Sequence, residues 1–516
     1  MAYAEVEERQ LLKAMTWWDG FVVALANPGF LIAALGSSIG ALGTTGAFVL
    51  WTVSITFGAL QNSIHAELAT MFPNKSGGIA LYAHEAWRKY LIFVGPVATF
   101  GYWIGWSVVL SINGLVAGTL IQAEWFSKNT WTKSGAGFDL SLPIVIGIGL
   151  IVLVWVFNVY GVRPAVWFGY LTGALLCIPV FVLMFFPYIT GDWHSSNMQW
   201  NIGTGGGLPL VLTWLYFMCW SAYGIEVVAT FAPEFHDTQR DTPRALRSSA
   251  LFCVAVYALV PLGLGGTLGT KAVADDATFI SFFTQAFDKI VGHGLANVMI
   301  ACIVGGLVLS MNTATMDGSR ALYGIAKDGM TIRELGVLNR FHVPGRAMTL
   351  DAILNIFLIT YFTGVLPILA VSNIGYVLAT CCALSGFLLL RRDRPNWPRP
   401  FRLPDVWVPI TAVLLAINVV LLIAGGFLYS GGFLGITGYG YGWDKTRTGL
   451  IVLLAAFLLY VYRHVVQDKI PLRLREEIPQ TPEDLLVHPE LAPAGVGDPD
   501  ELIATAGPGP PPPTSP

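Results

Sequence analysis

Charge is what this chain lacks most. Asp, Glu, Lys and Arg make up 12% of its 516 residues, about half the roughly 25% of an ordinary soluble domain. Hydrophobic residues make up 54% and the mean hydropathy is +0.63. So little charge cannot cover a water-facing surface of this size, which predicts an all-α polytopic membrane protein with the lipid bilayer as its main partner. Net charge is only −3, so no basic footprint for nucleic acid is expected. Paired cysteines are also missing. Cys177, Cys219, Cys253, Cys302, Cys381 and Cys382 all fall inside apolar runs, without disulfide or zinc-ligand spacing, and read as reduced small hydrophobes. No His, Asp or Glu cluster has metal or nucleophile spacing, and there is no large soluble region, which argues against a membrane enzyme and against a cofactor. The stretch up to Thr16 is polar and acidic, without a signal peptide's short apolar core; the first span is expected to serve as its own insertion signal.

What is present is a succession of apolar runs long enough to cross hydrocarbon. Their expected limits are 18–43, 46–71, 92–124, 141–160, 163–189, 207–232, 248–269, 290–316, 348–366, 368–390, 408–430 and 447–464, about twelve in all. Lysine and arginine fix the expected orientation. Only Lys128, Lys133, Lys271, Lys289, Lys445 and Arg447 fall on one set of alternate loops, and the rest of the 29 lie on the other. The rich side is expected to be cytoplasmic, with both termini there and the protein in the plasma membrane. The domain plan is therefore a cytoplasmic segment 1–16, a membrane domain 17–464, and a polar, acidic, proline-rich tail 465–516 expected to be disordered.

Two of the runs carry interruptions. The first contains Ala26-Asn27-Pro28-Gly29-Phe30 and the sixth contains Trp220-Ser221-Ala222-Tyr223-Gly224-Ile225-Glu226. Proline removes a helical hydrogen bond and glycine loosens the ladder. In hydrocarbon, freed backbone groups are tolerated only where protein or a wet cavity surrounds them. A carboxylate at that depth costs roughly 2.5–3.5 kcal/mol on insertion scales. If spans 1–5 and 6–10 are two halves, the broken helices lead each half, the pattern of an inverted-repeat transporter site. The half-helix amides around Pro28–Ile32 suit a carboxylate, and the carbonyls of Cys219 to Tyr223 suit an ammonium group. Both together fit an α-amino acid; the carbonyls alone fit an amine.

Several motifs, in order, resemble the amino acid–polyamine–organocation permeases. They are His65-Ala66-Glu67-Leu68-Ala69, Phe72-Pro73 and Ser76-Gly77-Gly78; Gly105-Trp106; Trp220 to Glu226 with Pro233-Glu234 and Thr242-Pro243-Arg244-Ala245; Ser319-Arg320 through Ala326-Lys327-Asp328-Gly329; and Arg399-Pro400-Phe401-Arg402-Leu403-Pro404. The likeness spans about residues 17–464. It implies a five-plus-five inverted-repeat core with discontinuous helices 1 and 6, two peripheral helices, and transport of amino acids or related amines. It implies Asn27, Pro28 and Gly29 as the first unwound segment, Trp220 as the aromatic closing over substrate, and Glu226 as the titratable acid. The substrate-binding set is then Asn27, Pro28, Gly29, Phe30, Trp220, Ser221, Ala222, Tyr223, Gly224 and Ile225. Two departures stand out: Asn-Pro-Gly replaces the family's frequent Gly-Ser-Gly, and the fifth span, Arg163 to Pro187, has no lysine. With that lysine absent, Glu226 is the candidate for coupling or pH sensing. The eighth span offers Ser310, Thr313 and Thr315 without an adjacent hydroxyl pair, which argues against a sodium site.

Other residues admit two readings each. His65 and Glu67 form a proton relay or a structural bond. Asp317 and Arg320 pair as a gate or pack structurally. Asn113 and Asn312 line the pocket or bond between helices, and Trp103 and Trp106 gate the site or act as packing and interface anchors. The leading functional expectation is a secondary transporter, proton symporter or exchanger; a polyamine carrier or a sensor on the same fold are the alternatives. A major-facilitator carrier is disfavoured, because the loop Phe72 to Gly78 lacks the Gly-x-x-x-Asp-Arg-x-Gly-Arg pattern of that fold.

Overall fold

A computed structural model describes residues 10–482 and 484, except 136, 203–205, 275–281, 363–364, 433–441 and 483, and omits the side chains of 365–367. Apolar runs that must satisfy their own backbone become helices. In order these are α1 (Trp17–Ala24), α2 (Asn27–Met71), α3 (Gly78–Trp87), α4 (Val94–Ser107) and α5 (Val109–Trp125), then a hairpin of β1 (Thr132–Gly135) and β2 (Phe138–Ser141). There follow α6 (Leu142–Val159), α7 (Val162–Thr190), α8 (Gly207–Ala222), a 3₁₀ segment (Gly224–Glu234), α9 (Thr238–Ala274), α10 (Phe282–Val291) and α11 (His293–Lys327). The last four are α12 (Gly345–Tyr361), α13 (Val365–Asp393), α14 (Trp407–Val420) and α15 (Trp443–Tyr462).

Among the described residues, 10 helical segments are long and apolar enough to cross a membrane. The expected first and second spans form one segment of 55 residues, Trp17–Met71, bent at Gly43. There φ is +77° and ψ 164°, a conformation open to glycine at little cost. The expected ninth span falls on α12, whose 17 residues are shorter than any of these 10 segments. The third is two helices meeting at Val108, and the eighth runs on as far as Lys327.

α9 lies along α2, α13 along α4, and α11 along α7. Small residues allow close crossings: a Cβ on Gly101 of α4 would strike the backbone oxygen of Gly375 on α13, as expected where membrane helices associate by close packing. By contrast only a minority of the residues in the most apolar stretches of α6, α14 and α15 are buried, so they form the rim.

Ion pairs tie the arginine-rich ends together. Glu85 of α3 meets Lys75 at 2.7 Å, Arg394 at 2.9 Å and Arg88 at 3.5 Å, and Lys75 also meets Asp328 at 3.1 Å. Glu67 is held by Arg391 at 2.6 Å, by Arg399 at 3.3 Å and by the Leu403 amide at 2.8 Å. Glu67 thus takes the structural rather than the relay reading.

The tail departs from expectation at its start. The chain stays helical to Asp468, and 470–482 then lies against the corner between α3 and α4. The Ile92 amide donates to the Leu474 oxygen (3.0 Å) and the Glu476 amide to the Arg88 oxygen (2.9 Å). Ile478, Pro479 and Pro482 are buried. Average composition hides these few anchors within a polar stretch. Residues 485–516 lie outside the described residues.

Candidate functional site

The first interruption falls one turn earlier than its motif suggests. α1 ends at Ala24, Leu25 and Ala26 form a turn, and Asn27-Pro28-Gly29-Phe30 is the first turn of α2. The physical reason is proline's missing N–H: in the first turn of a helix that group has no partner to lose, so Pro28 starts a helix rather than breaking one. Hydroxyls receive the freed carbonyls. Thr313 donates to the Val23 oxygen (3.0 Å) and Ser310 to the Ala26 oxygen (2.7 Å), both from α11, while Asn27 Nδ2 reaches back to the Ala24 oxygen at 2.9 Å.

The second interruption is narrower than expected. Trp220, Ser221 and Ala222 belong to the last turn of α8, Tyr223 ends it, and Gly224, Ile225 and Glu226 open a 3₁₀ segment of 11 residues. Runs of that helix longer than three or four residues are uncommon, so the surrounding packing imposes it.

The two interruptions meet. A Cβ on Gly224 would lie 2.5 Å from Asn27 Oδ1, 3.3 Å from the Phe30 ring and 3.4 Å from the Trp106 ring. From α9, the Tyr257 hydroxyl stands 2.7 Å from the Asn27 carbonyl oxygen, 3.0 Å from the Ser221 carbonyl oxygen and 2.7 Å from Ser221 Oγ. One phenol therefore ties both broken helices. Among the described residues Asn27 Oδ1 is buried without a partner, leaving an acceptor between the two gaps.

Aromatic rings close over this point. Phe30 lies 5.1 Å from Trp220 and 5.5 Å from Trp106, centroid to centroid, and the Trp220 indole donates to the Gly105 oxygen at 2.9 Å. All three rings are buried. Below them Glu226 Oε1 accepts from Tyr376 (2.7 Å) and from the Trp106 indole (3.1 Å), whereas Oε2 is buried and unpartnered. On the arginine-rich side Arg320 forms a two-pronged pair with Glu234 and donates to the Met316 oxygen at 2.8 Å.

One expected pairing needs correction here, and some of the two-way readings resolve. Arg320 does not pair with Asp317. Its guanidinium reaches Glu234, and Asp317 Oδ1 accepts from Tyr102 at 2.9 Å instead. Trp103 and Trp106 are buried rather than interfacial, donating to Asp351 (3.1 Å) and Glu226. Asn312 bonds between helices, to Asn158 at 2.8 Å and the Ala165 oxygen at 2.9 Å. Tyr257, Tyr376 and Tyr102 were invisible in the sequence, because a lone tyrosine in an apolar run carries no motif; only its need for a hydroxyl partner when buried could have marked it. Among the carbonyls expected to receive an ammonium group, that of Cys219 accepts the Tyr223 amide (3.0 Å) and that of Ser221 faces Tyr257.

The family model for amino acid permease matches residues 15–436. The chain belongs to the amino acid permease family. Membership and the apolar helices together make it a multi-pass membrane protein, and the resemblance drawn from the motifs is correct. Similar chains include the lysine-specific permease LysP of Escherichia coli (strain K12), 26% identical over 332 residues, which are 62% of this chain and 64% of that relative. The D-serine/D-alanine/glycine transporter of the same strain is 26% identical over 334 residues, 59% of this chain and 66% of the relative. Cationic amino acid transporter 9, chloroplastic, of Arabidopsis thaliana is 26% identical over 336 residues, 60% and 56%. The chain thus spans less than two thirds of the length of these relatives. The Ser76-Gly77-Gly78 stretch touches the 3₁₀ segment: Ser76 donates to the Thr230 oxygen (3.2 Å), and a Cβ on Gly78 would meet Thr230 Oγ1 at 2.6 Å.

Proposed function

We propose that this protein is a secondary active transporter that moves an α-amino acid or related amine across the plasma membrane by alternating access. The observation that carries this reading is the meeting of the two interruptions at Asn27 and Gly224, tied by Tyr257. Only backbone freed from helical pairing offers amides and carbonyls to a zwitterion at that depth. In this reading Trp17–Met71 counts as two spans and α12 as one, giving twelve, with a five-plus-five repeat whose halves are led by α1–α2 and by α8 with its 3₁₀ extension. The arginine-rich face and both termini are cytoplasmic. Phe30 and Trp220 cover the substrate from outside, Arg320 with Glu234 closes the path inward, and Glu226 carries the coupling proton. Names of relatives that move lysine, small D-amino acids or glycine favour an amino acid over a polyamine.

The test is uptake of a labelled amino-acid and polyamine panel into proteoliposomes with and without an imposed pH gradient. Saturable uptake of one amino-acid class is expected. Absence of uptake across the panel would overturn the reading.

A further inference from the structure

Three carboxyls lie buried on three different elements: Glu226 on the 3₁₀ segment, Asp317 on α11 and Asp351 on α12. None has an ion-pair partner among the described residues. The guanidinium nearest along the chain, Arg320, is committed to Glu234 and to the Met316 oxygen. Burying an ionised carboxylate without a partner is costly, so three of them in one region need an explanation.

Each is held the same way. One oxygen takes donors from aromatic side chains: Tyr376 and Trp106 for Glu226, Tyr102 for Asp317 at 2.9 Å, Trp103 for Asp351 at 3.1 Å. The other oxygen, Glu226 Oε2, Asp317 Oδ2 or Asp351 Oδ2, is buried with no hydrogen bond of good geometry among the described residues, with Thr230 near Asp317 and Ser107 near Asp351. These orphaned oxygens are a second observation beside the cluster itself. A carboxylate has two oxygens and about four lone-pair sites, so an oxygen left without a donor has room to take up a proton.

The acids are also in sequence through space. Tyr376, bound to Glu226, stacks on Tyr102, bound to Asp317, with centroids 6.2 Å apart. Tyr102 also lies 3.2 Å from Thr230 Oγ1. A Cβ on Gly318, next to Asp317, would sit 4.0 Å from Asp351 Oδ2. The groups facing Glu226 are Tyr376, Tyr102, Trp106 and Asp317; those facing Asp317 are Tyr102, Tyr376, Thr230, Arg320 and Asp351; those facing Asp351 are Trp103, Ser107 and Asp317. Asp351 is five residues from exposed Arg346, about 7 Å along the helix. The series therefore runs from the helix interruption toward the arginine-rich face.

We propose that Asp317 and Asp351 extend Glu226 into a three-acid relay that carries the coupled proton between the site and the cytoplasm. Each move breaks a carboxylic O–H bond on one acid, passes the proton through a water molecule entering between the acids, and forms an O–H bond on the next, so a neutral acid and a carboxylate exchange places and the total charge is unchanged. Tyr102, Tyr376, Trp103 and Trp106 fix the carboxyls in place and stay neutral throughout. This inference rests on the proton-coupled transport reading above.

The experiment uses the full chain in proteoliposomes with the amino acid that the panel identifies. It compares wild type with Asp317→Asn and Asp351→Asn, which keep an oxygen to accept from Tyr102 and Trp103 but cannot carry a proton. Counterflow at equal pH on both sides needs no net proton movement; uphill uptake driven by a pH gradient, with a trapped pH dye, does. Each variant is expected to keep counterflow within about twofold and to lose gradient-driven uptake and the dye signal by about tenfold or more. Asp317→Glu and Asp351→Glu should restore part of both. Unchanged gradient-driven uptake in the Asn variants, loss of counterflow together with it, or no recovery in the Glu variants would overturn the relay while leaving transport intact as a reading. A wild type whose counterflow is normal but whose uptake ignores the pH gradient overturns proton coupling itself, and the relay with it.

Discussion

The Tyr257 hydroxyl lies 2.7 Å from the main-chain oxygen of Asn27, and the same atom reaches the main-chain oxygen of Ser221 at 3.0 Å. A single side chain on α9 thus couples the start of α2 to the end of α8. Any movement of one broken helix relative to the other must lengthen one of these contacts. The phenol has one proton, so it serves the two carbonyls in alternation.

Tyr257→Phe keeps the ring packed against Trp51, whose centroid is 5.6 Å away, and removes only the hydroxyl. Two buried carbonyls then lose their partner, at about 1–3 kcal/mol. Transport kinetics should show kcat/KM reduced by about tenfold, with a thermal unfolding midpoint only a few degrees lower.

Gly224→Ala puts a methyl group 2.5 Å from Asn27 Oδ1 and against the Phe30 and Trp106 rings. Overpacking of this kind costs about 1–3 kcal/mol, and here it falls on the gap where substrate is proposed to bind. Uptake should drop by more than about tenfold while size-exclusion behaviour stays that of wild type. An alanine variant with wild-type KM would show that the space beside Asn27 is not used.

Arg320 and Glu234 are both essentially inaccessible to solvent. Removing one partner of a buried pair leaves the other charge stranded, costing about 3–5 kcal/mol. Arg320→Ala and Glu234→Ala should each lower the unfolding midpoint strongly, and the double substitution should lower it less than the sum of the two. A thermal-shift double-mutant cycle measures the difference.

Glu85 gives a pH prediction at the arginine-rich face. Burial opposes its ionisation, but Arg88, Lys75 and Arg394 outweigh burial and hold its carboxyl well below the ordinary value of 4.5. A depressed carboxyl stabilises the fold above its unfolded value, and that contribution is lost as pH falls toward the folded one. Glu85→Gln should therefore be less stable than wild type at neutral pH, and the gap between the two should narrow as the pH is taken below 4.5. Unfolding midpoints measured across that range check it.

The sequence by itself determined the class of protein and where its weak points lie. Hydropathy sets which runs enter hydrocarbon, and there the need to satisfy every backbone group leaves helix as the outcome; Ala26 to Phe30 and Trp220 to Glu226 stood out because proline, glycine and a buried acid break that rule locally. The order of short motifs was enough to place the chain in its family. Tertiary structure alone decided the partners. Pro28 opens a helix, and only the fold brings Ser310 and Thr313 of α11 to the carbonyls before it. Asp317 went to Tyr102 while Arg320 took Glu234, because facing elements offered better geometry than three residues along one helix. Tyr257, Tyr376 and Tyr102, each a lone polar atom in an apolar run, acquire their roles only from what lies opposite, and spacing along one chain holds no record of contacts made between helices hundreds of residues apart.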